Sequence, residues 1–203
     1  MLSHKVAPAT GEFRPFHGDT IAYFLDQPTR DMVHHVTDLL IERHGPSLSA
    51  RLHTDQAHVT LHDLHADVDP ERVRALVHAR PQREAELVAQ ARRLGPIHML
   101  GPRVFNLVNT SIVIGLRPAE DQAHEALLAA RALFDEFVPS GPFTPHITLA
   151  YYRPQPPVAL VPAELRATLS ELTRLVQGVP VVLHPGRLHH LHFGSMNSYR
   201  LSG

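Results

Sequence analysis

The 203-residue chain contains no cysteine. This excludes a disulfide framework, a thiolate nucleophile and any Cys-ligated zinc or iron–sulfur site. Lysine occurs once, at Lys5, so Schiff-base chemistry and a Walker-type phosphate clamp are not expected. No run approaches the roughly 18 apolar residues that a membrane span needs. The opening segment MLSHKVAPATGEF lacks the apolar stretch of a secretory signal. These features lead us to expect a soluble cytoplasmic protein. Neither a Gly-rich phosphate loop nor a G-x-S-x-G elbow is present. There is also no excess of one charge: 19 basic and 20 acidic residues leave a net charge of −1. That balance argues against a grip on long nucleic acid through phosphate neutralisation, but leaves room for a small nucleotide or one RNA end.

What is present suits one domain. Hydrophobic residues make up 43% of the chain, enough for a sizeable core. Residues 1–18, with Gly11, Pro15 and Gly18, read as irregular. Asp19–Leu25 reads as a strand and Pro28–Arg43 as a helix stopped by His44-Gly45-Pro46. Ala57–Leu64 reads as a strand. A helical stretch entered at Asp69-Pro70 is broken at Pro81 and ends at Gly95-Pro96. Strands are expected at Arg103–Asn109, Ser111–Leu116, Pro145–Tyr152, Val179–Leu183, Leu188–Phe193 and Asn197–Leu201. Helices are expected at Pro118–Phe137 and Pro162–Val176. Strands and helices mixed without strict alternation indicate an α+β class.

Two of these strands carry nearly the same string, His58-Val59-Thr60-Leu61 and His146-Ile147-Thr148-Leu149. On a strand, positions i and i+2 share a face. Each string therefore presents a His and a Thr on one side and buries apolar residues on the other. With 17 histidines, H-x-T alone is expected about 0.9 times by chance. One such match, His35-Val36-Thr37, falls in a predicted helix, where His and Thr point apart. Requiring Val or Ile in the middle and Leu after Thr lowers the expectation to about 0.015. Two matches in strands, 88 residues apart, are a signal.

The pair, and the surroundings Pro145-His146-Ile147-Thr148-Leu149-Ala150 above all, resembles the 2H phosphoesterase superfamily, which includes bacterial RNA 2′,3′-cyclic phosphodiesterases and 2′-5′ RNA ligases. The segment Gly11 to Thr20 is similar to a less-studied bacterial branch. The resemblance implies an α+β, bilobal fold with two mainly antiparallel sheets, outer helices and a central cleft. Residues 1–203 would then be a single catalytic domain of two pseudo-symmetric lobes, able to act as a monomer. It further implies that His58 and His146 are the catalytic acid/base pair and that Thr60 and Thr148 hold the phosphoryl oxygens. No metal and no cofactor are required. The implied partner is a nucleotide or RNA end carrying a cyclic phosphate, or a related 2′-5′ phosphodiester. Arg51, Arg103, Arg153 and Arg187 are scattered, so long nucleic acid is not expected, and neither is a membrane.

The chemistry needs these residue types. Opening a cyclic phosphate takes a base for water and an acid for the departing ribose oxygen, and imidazole titrates near pH 6.5. Thr hydroxyls can donate to the non-bridging oxygens as charge grows there. By strand alternation His62 joins the face of His58 and Thr60, and Tyr152 joins that of His146 and Thr148, where it could stack on a base. Tyr23 reads as a core aromatic. A rival reading uses the run Leu188-His189-His190-Leu191-His192: His190 and His192 share a strand face and, with a third ligand such as His184, could hold zinc for a hydrolase. A third reading is a nucleotide- or RNA-end-binding module that turns nothing over.

Overall fold

The structure is a computed structural model, and it describes residues 2–77 and 81–202. The described residues form eight strands in two four-stranded antiparallel sheets and six helices. One lobe holds β1 (His17–Phe24), β2 (His58–Asp67), β7 (Leu188–Ser195) and β8 (Ser198–Leu201), in the order β2-β1-β7-β8. The other holds β3 (Ile97–Leu107), β4 (Ser111–Pro118), β5 (His146–Tyr151) and β6 (Pro180–Leu183), in the order β5-β4-β3-β6. The fold is the expected bilobal α+β arrangement. Each H-x-T strand, β2 and β5, is an edge strand of its own sheet.

Helix α2 (Gln27–His44) starts where Asp26 accepts a hydrogen bond from the Thr29 amide at 3.0 Å. It buries Val33, Val36, Thr37 and Leu40 at helical spacing. Within it His35 is exposed and Thr37 is buried, so the third H-x-T match serves no common ligand. Helices α3 (Pro70–Val77) and α4 (Pro81–Arg92) pack on the first sheet. Helix α4 begins at Pro81, and residues 78–80, His78 and the expected break among them, lie outside the described residues. Helix α6 (Pro162–Val176) covers β3 and buries Thr168, Leu172 and Val176. Helix α5 (Asp121–Ala132) is shorter than the sequence pattern predicts. Pro118 closes β4 instead of opening the helix, and turns carry the chain from Leu133 to Phe137.

The opening segment is more regular than expected. Leu2–Lys5 form a helical turn, α1, Val6 bridges Phe13, and β1 already begins at His17. Gly18, read as a loop glycine, is inside β1. A Cβ there would stand 2.2 Å from the Phe193 ring and 2.3 Å from the His65 carbonyl oxygen. No helix among the described residues is long and apolar enough to cross a membrane.

The two lobes repeat one plan. In the first, β1 leads through α2 to β2; in the second, β4 leads through α5 to β5. In each, the strand before the helix lies beside the H-x-T strand, and β7 or β3 lies on its other side. Both helices cross over: α2 contacts β5 and α5 contacts β2. This reciprocal packing sets the two edge strands against each other.

Candidate active site

Strand β2 pairs with β1 through Phe24↔His58 and Ala22↔Thr60, and the next partner is Ile21↔His62. Leu61 is thus an extra residue, a β-bulge. Strand β5 pairs with β4 through Gly115↔His146 and Val113↔Thr148, and then Ile112↔Ala150. Leu149 is the extra residue there. The bulges occupy the same place in both motifs. The carbonyl of Leu61 is taken by the guanidinium of buried Arg131, which reaches over from α5 and stacks 3.7 Å from the centre of the Phe143 ring.

A bulge reverses the alternation beyond it, and two sequence expectations change accordingly. His62 does not join His58 and Thr60. It is 3% exposed and turns to the back of the strand, with Nε2 3.4 Å from both Asp135 and Ser140 and its ring against Phe134. Tyr152 likewise leaves the face of His146 and packs against the core, its hydroxyl buried without a hydrogen-bond partner. The residues carried into the cleft instead are Asp63 and Tyr151, each five positions after its motif histidine. Strict alternation could not find them.

His58, Thr60, His146 and Thr148 line one cleft of about 970 Å³ between the lobes. The two histidines are held alike. Nδ1 of His58 lies 2.8 Å from the carbonyl oxygen of Gln56, and Nδ1 of His146 lies 2.7 Å from that of Thr144, in each case two residues back. A carbonyl only accepts, so each Nδ1 carries the proton and each Nε2 is left as the reactive nitrogen. Burial lowers the pKa of His58. The neighbouring His146 lowers it further, while the Gln56 hydrogen bond and Asp63 oppose the shift. Burial thus favours the neutral imidazole of His58. Tyr199 packs on its imidazole with ring centres 4.5 Å apart, and the Tyr199 amide donates to the Gln56 side chain at 2.9 Å. Tyr151 is pushed up to about 12 by burial and remains a neutral hydroxyl, donating to Met196 Sδ at 3.4 Å.

The lone lysine also reaches this cleft. Lys5 Nζ lies 5.0 Å from the centre of the Phe16 ring and 6.0 Å from that of Tyr151. Burial lowers its pKa and Asp63 partly restores it. None of Arg51, Arg103, Arg153 and Arg187 lines the cleft. Arg51 pairs with Asp38, Arg153 holds the Pro8 carbonyl, Arg187 holds that of Leu25, and Arg103 lies over Phe105.

The histidine run is organised differently from the zinc reading. His190 and His192 share a face, with ring centres 4.8 Å apart. His184, however, caps the turn before β7, its Nδ1 accepting from the Gly186 amide. His190 instead sits between two buried carboxylates, with Nε2 3.0 Å from Asp19 and Nδ1 3.2 Å from Glu84. Asp19, Glu84 and His190 bring one ligand atom each to within 4.8 Å of one another, a donor set that can take a cation. They lie on the face of the first sheet opposite His58. Ile21↔His190 and Asp19↔His192 pair on the face of Ile21, whereas Ala22↔Thr60 and Phe24↔His58 pair on the other.

No family model matches the sequence and no curated protein does. Solved structures do match. A conserved protein of unknown function from Agrobacterium tumefaciens, ATU0111, superposes with a TM-score of 0.66 at 18% identity, over 98% of this chain and 89% of that one. LigT of E. coli, crystallised with 3′-AMP, superposes with a TM-score of 0.54 at 16% identity, over 93% and 96%. A protein described only as a phosphoesterase gives 0.53 at 16%, over 93% and 95%. The chain has the LigT-like fold, that of the family its two motifs resemble.

Proposed function

We propose that the protein is a 2H-type phosphoesterase that opens a 2′,3′-cyclic phosphate, on a nucleotide or an RNA end, by acid/base catalysis between His58 and His146. The observation that carries this is the matched pair: two edge strands, two identical bulges, and two imidazoles with Nδ1 anchored on the carbonyl two residues back. The fold shared with LigT and with a phosphoesterase supports it.

His58, neutral through burial, is the base. Its Nε2 takes a proton from the water whose oxygen attacks phosphorus. His146, protonated at Nε2, gives that proton to the ribose oxygen as the P–O bond breaks. Thr60 and Thr148 donate hydroxyl hydrogens to the two non-bridging oxygens, where charge builds in the transition state. With a 5′ hydroxyl attacking phosphorus in place of water and the 3′ oxygen leaving, the same groups would join a 2′-5′ bond, but at cellular water concentration hydrolysis dominates.

The test is turnover of 2′,3′-cyclic nucleotides and a short cyclic-phosphate-ended RNA in EDTA. Wild type is compared with His58→Ala, His146→Ala and the double variant. We expect cleavage in EDTA, with each single variant slower by about 10²–10⁴-fold. Undiminished cleavage by the double variant would overturn the mechanism. Activity that appears only with added zinc would favour the His190 cluster. Binding of nucleotide phosphate without product from any substrate would mark a binding module.

A further inference from the structure

The cleft carries further charged side chains outside the two motifs. Besides Tyr151 and Tyr199, its ionisable lining outside the two motifs comprises His4, Lys5, Asp19, Asp63, His65 and Asp67. Asp67 is engaged by Arg72 at 3.2 Å, and His65 lies 3.4 Å from Asp19, whose side chain is fully buried. Asp63 and Lys5 are placed differently. The Leu61 bulge turns Asp63, an exposed carboxylate, into the cleft three residues after Thr60. Lys5 arrives from α1 over the ring of Tyr151, the residue that occupies the equivalent position in the other lobe. Asp63 and Lys5 line the same cleft as His58, Tyr151 and Tyr199, so both charges border the space between the motif histidines.

A carboxylate beside a phosphate site is costly unless a cation balances it, and Lys5 does so once. A second phosphate would meet the Asp63 charge after Lys5 has already been used. A hydroxyl fits both partners, since its oxygen accepts from the Lys5 ammonium and its hydrogen goes to the Asp63 carboxylate. Resting on the proposed function, we propose that Asp63 and Lys5 form a hydroxyl-reading subsite beside the catalytic histidines. The substrate then places a free sugar hydroxyl, and not a second phosphate, at that subsite.

The experiment compares binding of 3′-AMP, which has a free 5′ hydroxyl, with adenosine 3′,5′-bisphosphate, by calorimetry at low ionic strength. Wild type should favour 3′-AMP by about tenfold, the scale of one like charge at a partly screened site. Asp63→Asn should narrow the preference at least about threefold, and Lys5→Met should widen it. The wild-type preference should shrink in 0.3 M salt. Asp63→Ser, checked by circular dichroism alongside Asp63→Asn, guards against a folding artefact. Equal ratios in wild type and both Asp63 variants would overturn the subsite, even if cyclic phosphates are cleaved. If wild type binds neither nucleotide and cleaves no cyclic phosphate, the proposed function falls and the subsite falls with it.

Discussion

At the scale of single residues, the two catalytic candidates differ in their surroundings, although their anchors are the same. Burial holds the His58 imidazole below the ordinary histidine value of about 6.5, with the charge of His146 adding to the effect. A base works only when deprotonated. kcat/KM for a cyclic nucleotide should therefore rise with pH through an acidic limb whose midpoint lies below that of a free histidine, because kcat/KM reports the free enzyme. A pH–rate series tests this directly. An acidic limb centred at or above the ordinary value would take the role of base away from His58. His190 shows the contrasting use of the same side chain. Flanked by two carboxylates, it belongs to the interior of its lobe and has no access to the cleft.

At the scale of the element, the bulged edge strand is the unit of design. One extra leucine in each motif decides which of two adjacent residues faces the cleft. The tyrosine pair makes this measurable. Tyr152→Phe removes a buried hydroxyl that has no partner, so it should leave turnover unchanged and raise unfolding stability by up to about 1 kcal/mol. Tyr151→Phe removes a hydroxyl at the cleft beside Thr148 and should lower kcat/KM by about tenfold. Thermal melts and turnover on the same two proteins decide the matter, and the opposite pattern would mean that Tyr152, not Tyr151, serves the cleft. The bulges also explain how far sequence reasoning reaches. The H-x-T-L strings, the strands that carry them and the two-sheet class are legible because side-chain alternation needs only local residues. Alternation makes His62 and Tyr152 candidates for the cleft because it assumes an unbroken ladder, and a leucine that fills a bulge looks like any other strand leucine. Lys5 and Tyr199 were out of reach for another reason. They come to the site from opposite parts of the chain, and no local pattern marks either one.

At the scale of the whole molecule, the lobes differ in how the chain supplies them. Strands β3 to β6 come from one continuous stretch, Ile97–Leu183. The other sheet joins β1 and β2 to β7 and β8, across contacts as distant in sequence as Gly18↔Phe193. A chain shortened to end at Leu183 keeps every strand of the first of these sheets and loses half of the second, together with Tyr199. Amide exchange on that shortened chain should show β3–β6 protected and β1–β2 open, with no cyclic phosphodiesterase activity. Equal protection in both sheets would show that each half of the second sheet stands alone. Discontinuity of this kind also gives the protein a schedule. On the ribosome, the stretch carrying His146 can fold early as a unit, while the strand carrying His58 waits beside an incomplete sheet until Leu188–Leu201 has been made. The two motif histidines are thus placed at different times, and the cleft between the lobes is complete only once the later strand is assembled.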